Sequence, residues 1–235
     1  MSKAEQRSVP PPPRLWRVVR EAISDFYFNA WRFLAANILI GALLVVVLFA
    51  AAWHPLGLLL VTLLLLPAMG TMRMATRLVR DFHTDLGEFA DAVRRPWPLL
   101  GVGLVQLAAL VVLVGDILIA TAWRSWAGTI LLVGAGYGLL ALWTYALVAW
   151  PLLLDPERDG EPVRARLRLA FVVILVHPVR IGLFGLLVGG VLAISTALVA
   201  PILTFSVGVA WLAIARFVLP VADRIDGRAT MEVEP

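Results

Sequence analysis

The chain lacks cysteine entirely, and only 3 of its 235 residues are histidines. Without cysteine it cannot form disulfide bonds, thiolate metal sites or a cysteine nucleophile. His54, His83 and His177 lie far apart in the sequence, so no two of them have metal-ligand spacing. No catalytic Ser-His-Asp set, phosphate-binding glycine loop or H-E-x-x-H motif is recognisable. The sequence contains no positive evidence of catalysis, and we expect no enzyme activity, metal site or cofactor.

Charged residues are also scarce, at 15% of the chain, whereas hydrophobic residues make up 61% and the mean hydropathy is +0.89. A soluble protein of this size could not bury so much apolar surface, but a lipid bilayer accepts it. A helix crosses the ~30 Å hydrocarbon core with ~20 residues. Six apolar runs approach that length: Phe33–Trp53, Leu56–Met74, Trp97–Ala122, Ser125–Leu154, Ile181–Ala200 and Pro201–Leu219. We therefore predict an all-α membrane protein with six transmembrane helices.

The positive charges are distributed unevenly between the connections. Of the 20 Lys and Arg residues, only Arg124 lies in a connection that follows an odd-numbered run. Because Lys and Arg near span ends stay cytoplasmic, both termini are predicted to lie inside. The net charge of +4 and the pI near 10.3 do not indicate nucleic-acid binding, since the basic residues flank the spans. Anionic lipid headgroups on the cytoplasmic side are the expected partners.

The polar segments suggest how the chain is organised. Residues 1–13 include four consecutive prolines and are predicted to be a disordered tail. Residues 14–222 form the predicted six-helix domain, and residues 223–235 a short cytoplasmic tail. Three segments of the domain, at its start, at 80–95 and at 162–177, have the apolar periodicity of amphipathic helices. We predict three tandem units, each an amphipathic cytoplasmic helix followed by a transmembrane hairpin.

The second amphipathic segment offers a candidate partner surface. Its apolar stripe consists of Phe82, Leu86, Phe89 and Val93, at positions i, i+4, i+7 and i+11. The opposite side carries four carboxylates, which we call the acidic face: Asp81, Asp85, Glu88 and Asp91. These side chains either contact a cytoplasmic partner or form an ordinary solvated surface.

A second set of candidates consists of polar residues inside the apolar runs, namely Asp116, Asn37, Gln106 and Tyr145. Asp116 is the one acidic residue placed well inside a run. Burying a carboxylate there costs about 2.5–3.5 kcal/mol on insertion scales, so its side chain should face other helices or water. The set could form a polar path for a solute. Alternatively, each member makes a structural hydrogen bond, and Asp116 meets Arg124.

Five short motifs together resemble the YesL family of bacterial integral membrane proteins, whose function is uncharacterised. They are Asn37 within Leu34–Leu39, Pro67-Ala68 within Leu66–Arg73, Asp116, Pro151 within Ala149–Leu152, and Arg168-Leu169-Ala170. The chain departs from the family pattern at Leu66, where an aromatic residue often precedes the proline, and in its proline-rich start. The resemblance implies a location in the bacterial cytoplasmic membrane and an accessory role beside carbohydrate ABC uptake systems. It implies no catalytic or ligand-binding residues.

Two functions follow as expectations. The first is a non-enzymatic membrane protein that assists or regulates a saccharide uptake system, with ABC transporter subunits as partners of the acidic face. The second is an autonomous small-solute transporter or channel, which requires Asp116, Gln106 and Tyr145 on facing walls of one path. An intramembrane enzyme is a weaker third reading, because no nucleophile and base are recognisable.

Overall fold

The computed structural model describes residues 14–94, 97–123, 125–198 and 205–228, and all regular structure in them is helical. Nine α-helices are present there: α1 (Leu15–Phe28), α2 (Ala30–Trp53), α3 (Leu65–Asp81), α4 (Leu86–Arg94), α5 (Trp97–Ala122), α6 (Trp126–Leu153), α7 (Val163–Val176), α8 (Pro178–Leu198) and α9 (Val207–Ile225). Two 3-10 helices, Pro55–Leu64 and Pro156–Arg158, precede α3 and α7. The predicted all-helical class is confirmed. The predicted tail at residues 1–13 and residues 229–235 of the second tail lie outside the described residues.

Five helical segments are long and apolar enough to cross a membrane, which agrees with a multi-pass membrane protein. They are Ala30–Trp53, Leu59–Asp81, Trp97–Ala122, Trp126–Leu153 and Pro178–Ser195. These segments correspond to the first five predicted runs. The predicted third run has the same bounds as α5, whereas the second begins as the 3-10 helix Pro55–Leu64 before continuing as α3.

The hairpin of α5 and α6 lies at the periphery of the bundle. Only 6% of the most apolar window in α5, and 11% of that in α6, is buried inside the protein. At the turn, the Ser125 hydroxyl accepts a hydrogen bond from the Gly128 amide, which caps the start of α6. Because both helices are apolar on all sides, their exposed faces suit a lipid environment.

The helix α9 lies at the centre of the bundle, where it contacts α1, α2, α3, α6, α7 and α8. It does not have the predicted bounds of the sixth span: it begins at Val207 and ends at Ile225, while residues 199–204 lie outside the described part. The sixth run is not among the five segments above, and α9 carries Arg216, Asp223 and Arg224. The predicted boundary at residue 223 therefore falls inside a helix.

The helices α8 and α9 run antiparallel. The rings of Phe184 and Phe217 stack at 4.5 Å between centroids, and Ser206 Oγ donates to Ser195 Oγ at 2.7 Å. Ser195 follows Phe184 by 11 residues in α8, and its partner Ser206 precedes Phe217 by 11 residues, as antiparallel packing requires. Phe184 and Phe217 belong to a core that α9 shares with α3 and α6.

Two details of the predicted amphipathic helices differ from the structure. Phe82 was placed first in the apolar stripe of the second helix, but it terminates α3 in the left-handed region at φ 55° and is 80% exposed. α4 starts only at Leu86, where Asp85 Oδ1 accepts from the Glu88 amide at 3.0 Å. In α1, Val18 and Ala22 are buried, and the helix packs on α9. At Phe82 the end of α3 outweighed the apolar periodicity, whereas the apolar side of α1 is used for packing on α9.

Candidate functional site

The C-terminal ends of α3, α6 and α9 meet at one end of the bundle. Arg80, in the last turn of α3, donates to Asp155 at 2.5 and 3.1 Å, just beyond the end of α6. The same guanidinium donates to Asp223 of α9 at 2.5 and 3.1 Å. One arginine therefore joins three elements that are far apart in the sequence, through two bidentate charge-assisted contacts.

Arg158 completes this arrangement from the connection between α6 and α7. Its side chain is 0% exposed and donates to Asp223 and Asp226, both at 2.8 Å. Burial lowers the pKa of Arg158, but hydrogen bonds to Asp226 and Asp223 outweigh it, and the net pKa is raised above the ordinary value. We call Arg80, Asp155, Arg158, Asp223 and Asp226 the charged junction.

The local sequence explains why Asp155 and Arg158 face the same way. Asp155 caps the 3-10 turn Pro156–Arg158, accepting from the Glu157 amide at 3.3 Å. Proline in the first turn suits that geometry, because its fixed φ is helical and its missing N–H is not needed there. The tight turn brings Asp155 and Arg158 to 3.3 Å from each other, so that Asp155 meets Arg80 of α3 while Arg158 reaches Asp223 of α9.

Two further groups of charges surround the charged junction. Arg73 of α3 donates to both oxygens of Asp159, at 2.8 and 2.5 Å, and to Glu88 of α4 at 3.3 Å. Arg216, in the middle of α9, donates to Glu21 at 3.1 Å and makes a short contact with Asp25 on α1. These contacts hold α4 and α1 against the central helices.

A polar pocket of about 440 Å³ lies next to Arg73. Its charged lining consists of Arg73, Arg166, Asp91 and Asp159, and its apolar lining comes mainly from the start of α5 and the end of α6. Burial lowers the pKa of Arg166; Asp159 and Glu161 partly offset this effect, and the positive charge of Arg73 adds to it. The pocket is thus a charged recess beside two apolar helices.

The four carboxylates of the acidic face predicted from the sequence have different environments in the structure. Asp81 pairs with Arg77 at 2.7 Å, and Glu88 pairs with Arg73. Asp85 caps α4, and Asp91 lines the polar pocket. Only Asp85 and Asp91 are therefore available to a partner without breaking an ion pair in the described part of the chain.

The four predicted intramembrane residues have separate neighbours. Gln106 Oε1 accepts from Trp150 Nε1 at 2.9 Å, whereas the Tyr145 hydroxyl donates to the Leu167 carbonyl at 3.3 Å. Tyr145 and Trp150 are five residues apart on α6, so they point to different sides of that helix. Asn37 is fully buried in α2.

Asp116 is half-buried in α5 and forms no hydrogen bond or ion pair with any described residue. Its proposed partner Arg124 lies outside the described residues. The structure does not bring Asp116, Asn37, Gln106 and Tyr145 into one site.

Sequence reasoning missed the members of the charged junction. It assigned the arginines to lipid headgroups and did not select Asp155, Asp223 or Asp226 at all. A signal was present, because Asp155 and Asp223 follow apolar runs that end near the same predicted side as Arg80 and Arg158. In addition, Arg216 inside a predicted span required a carboxylate partner, since an unpaired charge there is costly.

No protein-family model matches the chain, and searches of curated proteins and of solved structures also return no match. The resemblance to the YesL family therefore stays a prediction. Within the described residues, no group of three or more His, Asp or Glu side chains is arranged to hold a metal ion.

Proposed function

We propose that the protein crosses the bacterial cytoplasmic membrane six times, as three hairpins with both ends inside. Five apolar segments and the antiparallel pairing of α8 with α9 support this arrangement. The shared position of the ends of α3, α6 and α9 is also what three returning hairpins require. The charged junction would then lie on the cytoplasmic side.

We further propose that the protein is a non-enzymatic accessory or regulatory component beside a carbohydrate ABC uptake system. The observation that supports this most is the distribution of polar groups. The ion pairs of the charged junction occupy one end of the bundle. Within the spans, Tyr145 and Gln106 make hydrogen bonds to different partners. Such a molecule offers a polar surface to a partner, and the polar side chains of its described spans do not line up into a path for a solute.

A site-specific crosslinking experiment tests this role. A photoreactive amino acid at Asp85, on the exposed start of α4, is expected to capture transporter subunits in cells that carry the uptake system. The same amino acid at Trp53 is the matched control and should capture none. Trp53 is exposed at the C-terminal end of α2, on the predicted outer side of the membrane. Absence of transporter subunits from the Asp85 adducts, with saccharide uptake unchanged after deletion of the protein, would overturn the accessory role.

The alternative function, an autonomous carrier, makes a different prediction for Asp116. A carrier that depends on this carboxylate loses flux in reconstituted vesicles when Asp116→Asn removes the charge and leaves the fold intact. Under the accessory role, Asp116→Asn leaves saccharide uptake in cells within about twofold of the unmodified protein, because the side chain has no described partner and the exchange is nearly isosteric. Loss of vesicle flux together with normal folding, measured by thermal unfolding, would favour the carrier.

A further inference from the structure

The polar pocket beside Arg73 contains a buried guanidinium, that of Arg166, which no described carboxylate contacts. Arg166 is only 7% exposed, and its Nη1 and Nη2 donate to the carbonyls of Leu153 at 2.5 Å and Glu161 at 3.0 Å. Its Nε has no hydrogen-bond partner, and Arg166 makes no ion pair with any described carboxylate. A buried guanidinium that contacts only neutral carbonyls is costly unless another anion reaches it.

The other charges of the pocket leave one uncompensated carboxylate. Arg73 and Asp159 neutralise each other through their bidentate contact. Asp91, on α4, is exposed and makes no ion pair or hydrogen bond with a described residue. Within the described residues, the pocket therefore presents one guanidinium without a carboxylate contact, on Arg166, and one carboxylate without a partner, on Asp91. A ligand that complements it carries both signs.

The apolar part of the lining indicates where such a ligand comes from. Pro98 and Leu99 belong to the first turn of α5, and Leu153 and Leu154 lie at the end of α6. Both helices are candidate membrane spans, so their ends lie at the depth of lipid headgroups if the membrane placement proposed above holds. A pocket with charged and apolar walls at that depth can take a headgroup together with the start of its acyl chains.

We propose that this pocket binds a zwitterion made of a phosphate and a primary ammonium group, with the phosphate on Arg166 and the ammonium on Asp91. The headgroup of phosphatidylethanolamine and soluble phosphoethanolamine share this chemistry. Arginine is well suited to phosphate, because its planar N–H groups match the phosphate oxygens. A purely anionic headgroup would be repelled by Asp91, and a choline headgroup has no N–H to donate to Asp91.

Native mass spectrometry of the full chain in detergent can measure this selectivity. Short-chain phosphatidylethanolamine, phosphatidylcholine and phosphatidylglycerol are titrated separately, and phosphoethanolamine is added as a soluble competitor. We expect the ethanolamine lipid to bind at least about tenfold more tightly than the other two, the scale of one hydrogen bond to a charged group. Displacement by millimolar phosphoethanolamine would identify a soluble zwitterion as a ligand, whereas resistance to it would identify the lipid.

Three variants separate the pocket from general effects. Arg166→Gln is expected to abolish selective binding, and Asp91→Asn to reduce the preference for the ethanolamine lipid about tenfold. Arg164→Gln, at an exposed position of α7 that does not line the pocket, is the matched control for Arg166→Gln and should change nothing. Because Arg166 also holds two carbonyls, Ala92→Leu provides a second test: it fills the pocket from α4, keeps both charges, and should weaken binding about tenfold.

Equal affinity for the three lipids, tighter binding of phosphatidylglycerol, or unchanged selectivity in Asp91→Asn together with unchanged affinity in Ala92→Leu would overturn the proposal. These outcomes do not depend on a transporter partner. Failure of the accessory role would leave the lipid selectivity intact, and loss of the selectivity would leave the crosslinking result intact.

Discussion

At the scale of single residues, the arginines of one end of the bundle differ in what balances their charge. Arg158 is completely buried and makes contacts of 2.8 Å with Asp223 and Asp226. Arg166 is almost as buried but donates only to backbone carbonyls. The carboxylates of Asp223 and Asp226 compensate the buried charge of Arg158 and join two elements. The buried charge of Arg166 has no carboxylate contact in the described residues, so an external anion can stabilise it.

The contact between Arg158 and Asp223 should be a strong contributor to stability. Either change removes a hydrogen bond between charged groups, worth about 1.5–3 kcal/mol, while Arg80 still contacts Asp223 and Asp226 still contacts Arg158. We expect Arg158→Met and Asp223→Asn each to lower the free energy of unfolding by about that amount. The double variant should lose less than the sum, with a coupling of about 0.5–3 kcal/mol. Chemical unfolding in detergent micelles measures all three values.

Arg164→Met is the control for this cycle. Arg164 is exposed on α7, so its replacement should change the free energy of unfolding by less than about 0.5 kcal/mol. Strictly additive effects of Arg158→Met and Asp223→Asn would show that the two side chains do not stabilise each other.

At the scale of elements, α4 is attached to α3 by one close approach and by the ion pairs of Glu88 with Arg73 and Arg77. The ring of Phe89 lies on Gly70, where a Cβ atom would be 2.7 Å from Phe89 Cε2. Glu88 adds the contact with Arg73 on the same side. Glycine is needed at position 70 because any side chain there occupies the space of the ring, and the position of α4 in turn sets that of Asp91 in the polar pocket.

Gly70→Ala should therefore push α4 away from α3. We expect the free energy of unfolding to fall by about 1–3 kcal/mol, the usual cost of overpacking. Gly101→Ala on α5 is the matched control: its Cβ would meet no atom within 4 Å, so the change should be neutral or slightly stabilising. Adding Phe89→Leu to Gly70→Ala should recover stability. No recovery in thermal unfolding would mean that Phe89 does not set the distance between the helices.

At the scale of the whole molecule, the charged side chains divide the bundle into two unlike ends. The connections His83–Asp85 and Asp155–Pro162 lie at the end that carries the charged junction, whereas the turn at Ser125 contains no charged contact in the described residues. The central helix α9 brings its last turns to the charged end. This asymmetry is the structural counterpart of the unequal distribution of arginine.

Single-cysteine labelling can test the orientation directly, since the natural chain has no cysteine to remove. With an impermeant maleimide on intact cells, His54→Cys, Ser125→Cys and Leu198→Cys should react. His83→Cys and Gly160→Cys should react only after permeabilisation, because the arginine-rich connections stay cytoplasmic. Reaction of Gly227→Cys, just after α9, in intact cells would contradict a sixth full crossing, and reaction of Gly160→Cys there would reverse the predicted orientation.

The predictability of each helix depended on whether local or distant residues decide its bounds. α5 was predicted with the correct bounds because a long and predominantly apolar run between Trp97 and Trp123 determines it. α9 continues to Ile225, past the end of the predicted sixth run at Leu219, and ion pairs of Arg216 and Asp223 with other elements make this stretch part of the protein interior. Phe82 was misassigned because a left-handed backbone angle is invisible to apolar periodicity.

The candidate site was less predictable than the helices. Asp91 was identified as part of the acidic face, but nothing in the sequence indicated that it would line a pocket with Arg166. The arginines were recognised as a group that marks one side of the membrane. Their division into paired and unpaired members requires distances between elements, which a single sequence without contacts does not contain.

By itself, the sequence determined that this chain is helical and apolar enough to enter a membrane, since runs of ~20 apolar residues have no other stable environment. The tertiary structure alone decided which charges meet. Arg80 and Asp223 are 143 residues apart, yet their atoms lie 2.5 Å from each other. Ion pairs act over a few ångströms of space irrespective of sequence separation, so only folding could bring these residues together and leave Arg166 without a carboxylate beside it.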